Sequence, residues 1–296
     1  MAVAVLDRPR SRARAALAAT RPRQWSKNLL LFAGLLFAAK LGDATRWLEA
    51  VLAFGVYCAA SSAAYLVNDV RDAEQDREHP VKRFRPVASG ELEATTAVAL
   101  AAVLAAAAFG GAAVLGVGSI PFLVAFVLLQ GAYTAGLKHV VLIDVMAIAA
   151  LFVVRASAGA EAVDVRISPW LLICTGLLAL FLALAKRRAE LVLVGADATP
   201  GRPVLEGYSL ALVDQLVTVV AASTVIAYSL YTFTARDSKA MMATVPFVLY
   251  GVFRYLLLLH RHDLGEEPEN VLLSDVPLLA TIAAWAATSA VILALT

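Results

Sequence analysis

Residues 94–137 are 44 consecutive positions without a single Asp, Glu, Lys or Arg. A soluble core has no need of such a run, whereas a hydrocarbon core is crossed by about 20 apolar residues. The run is therefore long enough for two crossings, and Gly116, Gly118 and Pro121 supply the turn between them. The rest of the chain repeats the pattern, with 61% hydrophobic and 16% charged residues and a mean hydropathy of +0.77. Runs poor in charge mark nine candidate spans: 25–41, 48–67, 94–115, 120–137, 140–162, 167–185, 212–235, 240–259 and 276–296. Because lipid offers backbone groups no partners, the expected fold is all-α, a polytopic membrane protein of about nine transmembrane helices. The first run is the weakest span. Only residues 28–39 of it lack charge, a length that also suits a re-entrant segment.

The distribution of cations sets an orientation. With the N-terminus inside, 19 Lys and Arg fall on interior segments, five fall outside (Lys40, Arg46, Arg166, Arg236 and Lys239), and Arg155 lies within a span. That asymmetry predicts N-inside, C-outside, with every long charged connection facing the cytoplasm. The overall net charge of +2 says little about partners, and no nucleic-acid partner is expected. Residues 1–24 form a basic arm without a cleavable-signal pattern, read either as an amphipathic helix on anionic lipid or as a disordered tail. Residues 25–296 are read as a single transmembrane domain. Cys58 and Cys174 sit in apolar runs and are expected to be small buried hydrophobes, without a disulfide. The four His have no metal-ligand company.

Between the second and third spans lies NDVRDAEQDREHPVKRFRPVASG, residues 68–90. If its first ten residues are helical, Asp69, Asp72 and Asp76 share one narrow face while Arg71 and Glu74 point elsewhere. Three like charges on one face repel unless a cation sits among them. Asp69 and Asp76 are about 10 Å apart along a helix axis, too far to ligate one small ion directly. Oxygen-only donors suit Mg²⁺, which completes its shell with water and phosphate oxygens. Lys82, Arg83 and Arg85 follow as phosphate donors. The alternative is an ordinary solvated loop that satisfies the charge bias.

Elsewhere, Lys186, Arg187, Arg188 and Glu190 close the sixth span. They read as a phosphate clamp or, more plainly, as span-end cations with Lys186 and Glu190 paired at i, i+4. Arg155 within the fifth span is costly there and reads as functional, reaching an anion or a structural partner; Asp144, three turns earlier, shares its face. Tyr133 and Lys138 bracket the turn before that span, and Trp25, Lys27 and Asn28 open the first, where Trp and Lys are first of all interface anchors. Tyr208, Tyr228, Tyr231, Tyr250 and Tyr255 read mostly as core or interface aromatics. Arg254 and Glu267 are weaker candidates.

The N-D-x-x-D-x-x-x-D pattern at residues 68–76, following a span, resembles the first aspartate-rich motif of the UbiA superfamily of intramembrane prenyltransferases. RPRQWSKN (21–28), YTAGLK (133–138), AKRRAEL (185–191) and the HRHDLGEEPENVLLSDVPL tail are similar to the decaprenyl-phosphate phosphoribosyltransferase branch, which serves actinobacterial cell-wall synthesis. One departure is informative. Typical aromatic prenyltransferases carry a second aspartate-rich motif where this chain has KRRAE, and Asp197 stands alone beyond it. Cations there suit a substrate bearing a 5-phosphate, a 1-diphosphate and a lipid phosphate acceptor.

The resemblance implies a UbiA-type helical bundle at the plasma membrane with its site facing the cytoplasm. It implies Mg²⁺-dependent transfer of 5-phosphoribose from phosphoribosyl diphosphate to a polyprenyl phosphate, with release of diphosphate and inversion at C1. Asp69, Asp72 and Asp76 with Asn68 then hold Mg²⁺ on the diphosphate. Lys186, Arg187 and Arg188 take the 5-phosphate, and Lys27, Lys82, Arg85, Tyr133, Lys138 and Arg155 are left among the remaining phosphates. The alternatives are transfer of a prenyl group from its diphosphate to an aromatic acceptor, or, from a different class, a transporter using Arg155 and Asp144.

Overall fold

The computed structural model describes residues 11–37, 42–79, 81–197, 203–234, 238–261, 271 and 274–295. Among the described residues every regular element is helical: α1 (Arg12–Ala19), α2 (Ala33–Phe37), α3 (Ala44–Arg71), α4 (Ala73–Glu78), α5 (Ala94–Leu115), α6 (Ser119–Ala135), α7 (Ile143–Ala162), α8 (Pro169–Asp197), α9 (Leu210–Thr234), α10 (Val245–Arg261) and α11 (Val276–Leu295). Short 3₁₀ pieces at Pro22–Phe32, Lys82–Phe84, Leu137–His139, Pro203–Gly207 and Ala240–Thr244 join or extend them. Seven helical segments are long and apolar enough to cross a membrane, and Ser119–Ala135 is a shorter apolar helix. The described part of the first candidate span is instead a 3₁₀ stretch, Pro22–Phe32, continued by the five residues of α2.

The chain forms two compact units, one from residues Met1–Leu29 and Val51–Val127, the other from Leu30–Ala50 and Leu128–Thr296. In the first, α1 is an integral layer. Ser11 caps its N-terminus, and Ala19 packs with Ala63, Leu66, Val87, Leu92, Ala97 and Ala101. The described part of the basic arm is thus a packed helix; residues 1–10 lie outside the described residues.

In the second unit, Val145 of α7, Phe181 and Leu184 of α8, Val213 and Val217 of α9, and Tyr255 and Leu259 of α10 share one core. The approach of α2 and the end of the 3₁₀ stretch before it to α7 is set by small residues, because a Cβ on Gly34 would lie 2.8 Å from Ala160 Cα and one on Gly159 would collide with the Leu31 main chain. A buried polar knot joins α9 to α11, where the Tyr228 hydroxyl receives the Trp285 indole N–H at 2.7 Å and meets Thr244 Oγ1 at 2.6 Å.

Candidate functional site

Both units carry clusters of carboxylates and arginines, of which two involve the residues singled out by the sequence. In the first unit, α3 runs on past its apolar part to Arg71, and the helix is interrupted at Asp72 (φ −94°, ψ 6°) before α4 begins. The break is slight, because Asp72 N still donates to Asn68 O (2.9 Å) and Asp76 N to Asp72 O (2.8 Å). Asp69 and Asp76 are buried, Asp72 and Asn68 are half-buried, and Arg71 and Glu74 are exposed. The cation among the acidic side chains is the chain's own. Arg85 Nη1 lies 2.6 Å from Asp76 Oδ2 and 3.3 Å from Asp69 Oδ1, and Arg21 Nη2 binds the same Asp69 oxygen. The two carboxylates thus converge on one nitrogen despite their axial separation.

Arg85 is delivered by a tightly built turn. His79 Nδ1 accepts the backbone N–H groups of Val81 (3.2 Å) and Lys82 (3.3 Å), which requires that nitrogen to be unprotonated. Partial burial, then the Lys82 charge, push the imidazole below its ordinary value and favour that state. Beyond Arg85, the carbonyls of Arg85 and Pro86 accept Ser89 N (2.8 Å) and Leu92 N (2.9 Å), so the basic loop is a packed structure.

Arg21 arrives along a strap. The RPRQWSKN segment lies on one stripe of α3, at positions 58, 62, 65 and 69. Asn28 Nδ2 donates to Cys58 Sγ (3.4 Å), Trp25 Nε1 to Ser62 Oγ (3.1 Å), and Ser62 Oγ in turn to Thr20 O (2.9 Å). The Arg21 guanidinium sits 4.8 Å from the centroid of the Tyr65 ring. Lys27 on the strap and Lys82 near Arg85 are half-buried.

The donors of this cluster fit a hard divalent cation. They are oxygens only, and Asp69 Oδ2 is buried with no hydrogen-bond partner, a costly state that a metal relieves. Among the described residues no three His, Cys, Asp or Glu side chains converge to hold a metal by themselves. An ion completed by water and phosphate oxygens needs no such trio.

The second unit's cluster is built differently. Asp144, in the first turn of α7 and fully buried, accepts Arg187 Nε at 2.7 Å and the Tyr208 hydroxyl at 2.7 Å. Arg187 Nη1 also binds Glu190 on the same helix face, so Glu190 pairs at i, i+3 with Arg187. The Tyr208 hydroxyl receives Leu142 N at 2.8 Å. That bond holds Leu142 at φ 66°, an uncommon conformation for a branched residue, in the turn that carries Lys138. Burial, and then the bond to Asp144, keep the Tyr208 phenol well above its usual range, so it remains a donor. Gly207 permits this, since a Cβ there would collide with Val141.

The neighbouring cations are also engaged. Arg188 Nε binds Asp214 Oδ1 (2.6 Å) and its Nη1 binds Leu259 O (3.0 Å), tying α8 to α9 and α10. Lys186, Tyr133 and Lys138 are half-buried. Arg155 is buried, donates to Leu151 O at 3.2 Å within its own helix, and lies 5.4 Å from the Phe152 ring centroid. Arg254 makes a two-pronged pair with Asp275 at 3.1 and 2.8 Å. Glu267 and most of the HRHDLGEEPENVLLSDVPL tail lie outside the described residues, as does the Asp197 side chain. The sequence singles out neither Arg21 nor Tyr208, which reads as a core or interface aromatic. The motif that begins at Arg21 was the available signal for the first; the second had none.

A helical, multi-pass chain with an aspartate pair at the end of a spanning helix defines a class, and the sequence profile agrees: the chain belongs to the UbiA prenyltransferase family, which it matches over residues 28–275. Its relatives include the decaprenyl-phosphate phosphoribosyltransferases of Mycobacterium tuberculosis (36% identical, covering 91% of each chain) and Corynebacterium glutamicum (34% identical, covering 94% of this chain and 86% of the relative). Among solved structures, a UbiA homolog from Archaeoglobus fulgidus bound to DMAPP and Mg²⁺ matches with a TM-score of 0.73 at 17% identity, over 95% of this chain and 99% of that one. A digeranylgeranylglyceryl phosphate synthase matches at 0.69 and 16%, over 96% and 99%. These two likenesses show the fold.

Proposed function

We propose that this protein transfers 5-phosphoribose from phosphoribosyl diphosphate to a polyprenyl phosphate, decaprenyl phosphate in the relatives' case, releasing diphosphate and feeding arabinan cell-wall synthesis. The observation that carries this reading is the end-to-end match to the decaprenyl-phosphate phosphoribosyltransferases, 36% over 91% of both chains. The cations of KRRAE, where aromatic prenyltransferases place carboxylates, support it by charge balance.

Asp69, Asp72 and Asp76, with Asn68, would hold Mg²⁺. When bound, the ion neutralises charge on the departing diphosphate. Arg21 and Arg85 orient Asp69 by occupying one of its oxygens, and they offer donors to phosphate. The acceptor phosphate is already an anion, so no side chain needs to act as general base; positioning and electrostatics carry the reaction, with inversion at C1. We assign Lys186 to the 5-phosphate, with Arg187 and Arg188 holding the helix end that presents it. Lys27, Lys82, Tyr133, Lys138 and Arg155 are assigned to the remaining phosphate oxygens, with Arg155 acting from within its helix.

We further place the protein in the plasma membrane with nine crossings, the N-terminus inside, and the acidic stretch on the cytoplasmic side, on the strength of the Lys and Arg asymmetry. The Pro22–Phe37 stretch, 11 residues of 3₁₀ and five of α-helix, measures about 30 Å and so suits one of those crossings. We take residues 25–296 as the catalytic domain, to which the preceding arm contributes Arg21.

The test is a pair of assays with purified protein and Mg²⁺. Label passes to lipid from labelled phosphoribosyl diphosphate with polyprenyl phosphate, and chelation stops it. Transfer only from prenyl diphosphate to 4-hydroxybenzoate overturns the proposal in favour of prenyl transfer. Flux through proteoliposomes without chemical turnover overturns it in favour of transport.

A further inference from the structure

The buried carboxylates of the first unit carry their own counter-charges. Of the carboxylates at residues 69, 72 and 76, the two that are buried, Asp69 and Asp76, are matched one for one by Arg21 and Arg85. Neither arginine is there by default. Arg85 is delivered by the His79-bonded turn. Arg21 adopts φ 52°, a backbone conformation that residues with a Cβ seldom take. It is kept there by its own carbonyl, which accepts Gln24 N at 2.9 Å, by Ser62 Oγ bonding the preceding carbonyl, and by the Tyr65 ring under the guanidinium. Three independent contacts thus hold one cation on one oxygen of Asp69, while the other oxygen stays buried and without a partner.

We infer that Arg21 and Arg85 are resident counter-cations that keep the acidic pair closed to a bare divalent ion and open it to one that arrives with diphosphate. A dication approaching Asp69 meets a pair already neutralised and two guanidiniums that repel it. The same ion carrying diphosphate presents anionic oxygens, for which both guanidiniums are ready donors. Repulsion becomes attraction without any change in the acidic residues, so the arginines enforce joint entry of metal and donor. The inference rests on the proposed Mg²⁺–diphosphate reading of this stretch. It gives Arg21, which precedes the family-matched residues, a part in admitting the ion only together with diphosphate.

Equilibrium dialysis of the full chain with radiolabelled Mn²⁺, alone and with inorganic diphosphate, tests it. The wild type retains Mn²⁺ weakly by itself and much more tightly with diphosphate. Arg21→Gln raises the affinity for Mn²⁺ alone by about tenfold, the effect of removing one nearby unit charge, and shrinks the gain from diphosphate. Arg21→Lys, which keeps the charge, binds as the wild type does. Asp69→Asn added to Arg21→Gln abolishes the new affinity. Unchanged or weaker Mn²⁺ binding by Arg21→Gln overturns the inference, as does Arg21→Lys behaving like Arg21→Gln, or Mn²⁺ retention that survives Asp69→Asn. No sugar or lipid enters this measurement, so a failure of phosphoribose transfer leaves its outcome standing, and the reverse holds as well.

Discussion

Two clusters in this protein use the same residue types to opposite ends. In the first unit, Asp69 and Asp76 meet arginines that are about a quarter exposed, and Asp69 Oδ2 has no partner. In the second, Arg187 is 1% exposed, Asp144 is fully buried, and both Asp144 oxygens are occupied, by Arg187 and Tyr208. A buried pair with its valences filled holds helices together, and its arginine is not readily released. A pair with partly exposed arginines and one oxygen unspent is what the proposed Mg²⁺–diphosphate reading calls for. The composition of a cluster therefore says less about its use than whether its bonds are already made.

The contrast can be broken most sharply by stability. Arg187→Met strands a buried carboxylate and should destabilise the protein by about 3–5 kcal/mol, with Asp144→Leu in the same chain recovering most of the loss. Arg85→Gln should lower the unfolding temperature far less. Equal losses in thermal melts would erase the distinction. Next comes turnover, where Asp72→Asn should slow label transfer by about 100-fold or more while membrane insertion persists, and Glu74→Gln, on the exposed side, should stay near wild type. Similar losses at both would undo the assignment of faces.

Tyr208→Phe sharpens the comparison from the second unit. It leaves Leu142 N and one Asp144 oxygen unsatisfied and should destabilise by about 1–3 kcal/mol, a melt that Tyr208→Ala can only worsen. The smallest effect concerns His79. Its folded pKa is depressed, so the neutral ring stabilises the Arg85 turn above the ordinary value of about 6.5, and that contribution is lost as pH falls through the lower folded value. Proteolysis between residues 79 and 92 should rise over that interval, and His79→Ala should remove the pH dependence.

Most of the helices were legible because charge-free length is a direct record of bilayer thickness. The run at 94–115 and α5 coincide, and the run at 276–296 is α11 within one residue. Helices outran the apolar stretches where end charges found partners, as α8 does through Arg187 and Arg188. The 25–41 run was not legible in detail. The shape of its described part is decided by Trp25 and Asn28 lacing onto Ser62 and Cys58 and by glycine contacts, none of which has a period. At the site, the 3.6-residue spacing located the buried faces of Asp69 and Asp76, but nothing in the spacing could reveal that Arg21, some fifty residues earlier, would share an oxygen with Arg85. For Arg187 and Arg188 the row of cations was visible and their carboxylate partners, Asp144 and Asp214, were not, because those pairings belong to helix packing.

The approach of α2 to α7 has a consequence of its own. Where Gly159 meets the Leu31 main chain, there is no side chain whose rotamer could give way, so any larger residue must displace an entire helix. In a library randomised at position 159, survivors selected for correct assembly should return glycine almost alone, a genetic signature of two polypeptide backbones in direct touch.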